Sequence, residues 1–106
     1  MRKLMAAGLC AAALLGFTAK AEYPSMSTRW GRTQLAQDAC LANAERAICA
    51  AGFERRTPTQ TSRYGYKGNY IVAIRCLTDL GMYFMAAAGP SEAVTVKYVE
   101  SVDNGF

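Results

Sequence analysis

Four cysteines, no histidine and eight scattered acids bound the chemistry open to this chain of 106 residues. Lacking histidine, it lacks the commonest general base and the commonest metal ligand together. None of Ser25, Ser27, Ser62, Ser91 and Ser101 sits in a G-x-S-x-G nucleophile elbow. The acids form no recognisable glycosidase pair. Gly65 and Gly68 flank Tyr66-Lys67 as turn residues, with no Walker-type phosphate loop around them. The cysteines fit neither a zinc or iron–sulfur site nor the C-x-x-C of a thiol oxidoreductase. The expectation is a protein without enzymatic activity, cofactor or metal.

One polar constellation stands out. Arg55, Arg56, Arg63 and Lys67 are interleaved with Tyr64, Tyr66 and Tyr70. Gathered at one end of a sheet, such residues could grip an anionic cell-envelope component, a glycan or another protein. The plain alternative is a solvated loop whose arginines keep a hydrophobic small domain in solution.

Residues 1–21 are unlike the rest. Arg2 and Lys3 precede an apolar run from Leu4 to Phe17, and Ala19-Lys20-Ala21 fits a small-x-small cleavage site. This pattern predicts a secretory signal peptide cleaved after Ala21, hence a periplasmic or secreted protein. The run is shorter than the roughly 20 apolar residues that span a bilayer, so no stable membrane span is expected. Leu9 before Cys10 argues against lipidation. Cleavage removes three of twelve basic residues and no acid, leaving a net charge of about +1 on about 85 residues. The formal +4 is therefore mostly targeting, and nucleic acid is not an expected partner. Cys40, Cys49 and Cys76 remain, an odd number in an oxidising compartment.

The elements that must position these residues centre on YIVAIRCLTDLGMYFMAAAG, Tyr70 to Gly89. Two strand-length apolar segments flank Thr78-Asp79-Leu80-Gly81, which predicts an antiparallel hairpin. In the first segment Arg75 marks its own parity as exposed, so Tyr70, Val72, Ile74 and Cys76 should face the core. In the second, both parities are apolar. Tyr83, Met85 and Ala87 alternate with Met82, Phe84, Ala86 and Ala88; the second face should be covered by the chain itself, through the Trp30 arm or the last helix, in preference to being a partner surface. Thr33 as N-cap and Gly52 as C-cap bracket a helix over Gln34 to Ala51. Its apolar stripe is Ala36, Cys40, Ala44, Ala47 and Ala51, flanked by Leu41 and Ile48; Cys49 falls on the polar side.

That geometry ranks the disulfides. Cys40 and Cys76 lie on the facing surfaces of helix and strand and form the preferred bond. Pairing Cys49 with Cys76 would turn Asp38 and Glu45 inward. Cys40 and Cys49 lie about 13 Å apart on opposite helix faces. Cys49 is left as a free thiol, or as an intermolecular bond in a homodimer.

The remaining segments read less sharply. Residues 22–32 read as a flexible leader, with Trp30 an arm packing over the core edge in preference to a binding anchor. Phe53 should pack back on the core. Thr59 to Lys67 reads as a polar edge strand, with Gly65 at a bulge. Ser91 as N-cap and Glu92 in the first turn predict a last helix, although Val94, Val96 and Tyr98 also alternate like a strand. The fold class is α+β, a small two-layer domain over residues 33–106. A hairpin or three-stranded antiparallel sheet packs on an N-terminal and a C-terminal helix, stapled by the helix-to-strand disulfide.

ACLANAERAICAAGF followed by YIVAIRCLTDLGMYFMAAAGP resembles small exported proteins of Gram-negative bacteria over Cys40 to Val102. The shared pattern is a helix with cysteine, Gly-Phe, a strand ending in cysteine, a short turn, a strand ending in Ala-Gly-Pro, and a last helix. The resemblance implies an exported α/β domain with Cys40 and Cys76 paired, and it implies no activity. Cys49 and the β-branched last segment depart from the pattern. Together these readings predict a non-enzymatic binding protein. The alternatives are an inhibitor or immunity protein for an envelope hydrolase, and a structural dimer linked through Cys49.

Overall fold

A computed structural model describes residues 23–106; the predicted signal peptide, with Cys10, lies outside the described residues. The elements run β1 (Ser25–Arg32), α1 (Gln37–Ala50), β2 (Glu54–Arg56), β3 (Ser62–Lys67), β4 (Tyr70–Leu77), β5 (Met82–Gly89) and α2 (Glu92–Gly105). The five strands form one antiparallel sheet in the order β1-β5-β4-β3-β2. The α+β architecture matches the expectation, with a sheet two strands wider than its upper estimate. Among the described residues no helix is long and apolar enough to cross a membrane.

The hairpin forms as its alternation dictates. Val72, Ile74 and Cys76 of β4 and Met85 and Ala87 of β5 are buried. They meet Ala44, Ala47 and Ile48 of α1 and Val99 and Val102 of α2 in one cluster, with Cys76 in a satellite alongside Cys40 and Leu41. Alanines on the buried stripe of α1 let its backbone come close to the sheet. At Gly65 a Cβ would stand 2.7 Å from that of Phe53, so this position takes glycine for close approach. It is not a bulge, because Gly65 pairs regularly with both Val72 and Arg55.

α1 is shorter than its sequence suggests. Its N-cap is Ala36, and the Thr33 hydroxyl instead accepts from the Leu35 amide. Gln37 fixes the helix start. Its Nε2 donates to the carbonyls of Cys76 and Gln60, and its Oε1 accepts from the Thr78 hydroxyl. At the other end Gly52 takes φ +87°, and the amides of Gly52 and Phe53 return to the carbonyls of Cys49 and Ile48. That is a Schellman closure, which directs Phe53 into the core. Cys40 and Cys76 are bonded, with Cα atoms 6.1 Å apart, and Cys49 is a free, exposed thiol.

Two sheet edges differ from the sequence reading. Residues 25–32 are β1, paired along their whole length with β5, and not a flexible leader. Their apolar signal is weak because α2 holds the strand through polar contacts. Ser27 Oγ and Thr95 Oγ1 are 2.8 Å apart, and Arg29 reaches Asp103 at 3.0 Å. At the opposite side β3 is an inner strand, since the polar run Glu54–Arg56 forms β2 outside it. The last segment is helical: Ser91 Oγ accepts from the Val94 amide, and Thr95, Val99 and Val102 are its buried stripe.

Candidate functional site

Both helices pack on the same side of the sheet, so the pleat divides every strand between a covered and an open face. Register places Met26, Thr28, Trp30 and Arg32 of β1 on the open face, beside Ala88, Ala86, Phe84 and Met82 of β5. Ile71, Ala73, Arg75 and Leu77 of β4 follow, then Tyr66, Tyr64 and Ser62 of β3, with Glu54 and Arg56 of β2 at the rim. No described element covers this surface. Among the described residues nothing shields the second apolar face of the hairpin, which the sequence reading expects the chain itself to cover. Trp30 belongs to the open face itself, directly across from Phe84, and is not an arm over the core.

The exposure is substantial. Met26 is 66% exposed, Trp30 58% and Phe84 38%, with Leu80 of the β4–β5 turn at 68%. Scattered apolar residues are ordinary on a surface, but here the exposed rings of Trp30 and Phe84 are direct cross-strand neighbours. Phe84 stands as a ridge between two shallow depressions. One, of about 270 Å³, has Ala73 and Ala86 as its floor and Tyr64, Phe84, Arg75 and Ser62 around it. The other, of about 520 Å³, lies among Trp30, Arg32, Leu80, Met82 and Phe84. Their shape follows from sequence: paired alanines leave a hollow where neighbouring strands carry rings.

Each depression holds one arginine. Arg75 Nε donates to the buried hydroxyl of Ser62 at 3.1 Å, which anchors the base of the guanidinium. Neither Arg75 nor Arg32 has a carboxylate within ion-pair distance among the described residues. Of the described strand residues on this face Glu54 is the one acid, and it is 3.1 Å from Arg56. The open face is thus apolar, aromatic and net cationic.

The constellation predicted from sequence is divided by the pleat. Tyr64, Tyr66 and Arg56 are on the open face, with the Arg56 guanidinium 4.7 Å from the Tyr66 ring centre. Arg55, Arg63 and Lys67 are on the helix side. Arg55 donates to Glu45 of α1 at 2.6 Å, and this hydrogen bond, with the adjacent carboxylate charge, raises its pKa. Arg63 donates to the carbonyls of Thr59 and Ser62 and ties down the loop before β3. Lys67 lies 5.4 and 5.3 Å from the ring centres of Phe53 and Tyr98, closing the core edge. Tyr70 also faces the helices and accepts from the Ser91 amide.

Trp30, Arg32, Arg75 and Phe84 were not among the predicted site residues. Arg75 and Phe84 lay in the parity left over once the core face of the hairpin was assigned, whereas Trp30 and Arg32 join them only through the pairing of β1 with β5. No group of three or more acids and cysteines among the described residues could hold a metal ion. Comparison of the chain with protein-family models, with curated proteins and with solved structures found no match.

Proposed function

We propose that the protein is a non-enzymatic binding module of the periplasm or cell exterior, and that its partner docks on the open face of the sheet. The observation that supports this reading is the pair Trp30 and Phe84, uncovered among the described residues and flanked by two arginines with no carboxylate partner among them. Leaving so much aromatic surface in water forgoes about 25 cal/mol for each Å² of apolar area that a partner would cover. The covered face offers less, because its cations are already engaged with Glu45, loop carbonyls and aromatic rings. The signal-peptide pattern and the disulfide between Cys40 and Cys76 support an exported setting.

Site-directed photo-crosslinking tests the reading in Gram-negative cells producing the full chain. A photoreactive residue at Phe84 or Ala86 should give a discrete adduct larger than the protein. The same residue at Ala42 or Glu100, exposed on α1 and α2, should give none. Adducts from the helix positions alone would overturn the placement of the site.

A further inference from the structure

Resting on the open face as the docking surface, we propose that its occupant is an extended, acidic segment of another protein. An apolar side chain of that segment would seat in the depressions beside Phe84, with carboxylates on Arg75 and Arg32.

Charge complementarity selects this occupant over the others. A second copy laid face to face would bring Arg32, Arg56 and Arg75 against the same three arginines, with Glu54 the one acid among the described strand residues on each side to offset them. Residues 1–22 bring Arg2, Lys3 and Lys20 against a single acid, Glu22, and repel the face in the same way. An anionic bilayer would suit cations at the rim of an apolar patch. Arg75 instead lies on β4, the central strand, with Phe84 as its cross-strand neighbour, where insertion would carry its charge into hydrocarbon. A carboxylate brought to Arg75 by an extended chain encounters none of these penalties.

Sheet geometry sets the spacing. Arg32 and Arg75 are separated by two strand intervals and two residues of register, which puts their Cα atoms about 12 Å apart. Along an extended segment, side chains four residues apart share one face at about 13 Å. The residue midway between them points the same way and reaches the Phe84 ridge with its flanking hollows. The motif that fits is therefore acid-x-aromatic-x-acid.

The test uses the protein purified after production of the full chain in Gram-negative cells, with Trp30, the only tryptophan of the chain, as its reporter. Blocked peptides carrying Asp-Thr-Phe-Thr-Asp and Lys-Thr-Phe-Thr-Lys are titrated at low and high salt, alongside phosphatidylglycerol vesicles. The acidic peptide should change Trp30 emission saturably, the basic one should not, and salt should weaken the response. Arg75→Gln and Arg32→Gln should each lower affinity roughly two- to fivefold, the range for exposed ion pairs. Among the described residues Arg32 makes no ion pair and no side-chain hydrogen bond, so its variant stays informative even if Arg75→Gln perturbs folding. Equal binding of both peptides, binding of neither, or a response to vesicles alone would overturn the acidic-segment proposal. So would self-association that consumes the Trp30 signal. The open-face reading is judged separately: crosslinks from Phe84 to a partner without an acidic segment would leave it standing while removing this one.

Discussion

Tyr83 stands where β1, β5 and α2 meet, its ring centre 4.3 Å from that of Phe106 and its hydroxyl 3.3 Å from Asp103. Burial, and then the Asp103 carboxylate, push its pKa above the ordinary 10.0. The folded state thus holds this proton more tightly than the unfolded chain. Stability from Tyr83 is complete below pH 10.0 and is lost as pH rises through the folded-state value. Urea midpoints of the wild type should fall across that alkaline window, and Tyr83→Phe should fall less steeply. At neutral pH the same variant should be less stable by about 0.5–1.5 kcal/mol, the net worth of one hydrogen bond. An equal alkaline slope in both proteins would show that Tyr83 is not the titrating group. Residue-scale chemistry was only partly visible in sequence. Arg55, Arg63 and Lys67 are evident as cations, but their engagement by Glu45, by loop carbonyls and by the Phe53 and Tyr98 rings depends on contacts that spacing does not reveal.

Among the elements, α1 and the β4–β5 hairpin were legible because one local periodicity decides each of them. The alanine stripe at helical spacing and the alternation around Ile74 identify their buried sides without knowledge of the rest of the chain. Those two faces also predicted the bond between Cys40 and Cys76. It closes a separation of 36 residues between two elements, which in the chain-entropy account contributes about 3–4 kcal/mol. Replacing both cysteines with alanine should lower unfolding stability by roughly that amount in calorimetry, with Cys49→Ser nearly neutral because Cys49 is exposed. A loss from Cys49→Ser matching that of the double variant would contradict this division of roles. β1 escaped detection for a physical reason. SMSTRWGR has little apolar alternation, and its large residues Met26 and Trp30 point away from the core. Its conformation is set by pairing with β5 and by Thr95 and Asp103, nearly 70 residues or more further along. β2, three exposed residues long, carries no periodicity at all.

At the scale of the whole molecule, placing both helices on one side leaves the other sheet face uncovered among the described residues. The apolar second parity of β5 was visible in sequence, while its lack of cover was not, because cover depends on where both helices settle. The aromatic-cationic site assembles only when β1 joins β5 and brings Trp30 and Arg32 beside Phe84 and Arg75. Everything proposed about function rests on that face being open in solution. The most direct measurement is quenching of Trp30 emission by the neutral quencher acrylamide in the purified, unliganded protein. At 58% exposure, Trp30 should be quenched at a rate close to that of a tryptophan peptide in the same buffer. A Trp30 strongly shielded from acrylamide would mean that chain or partner already covers the face, and would contradict the account.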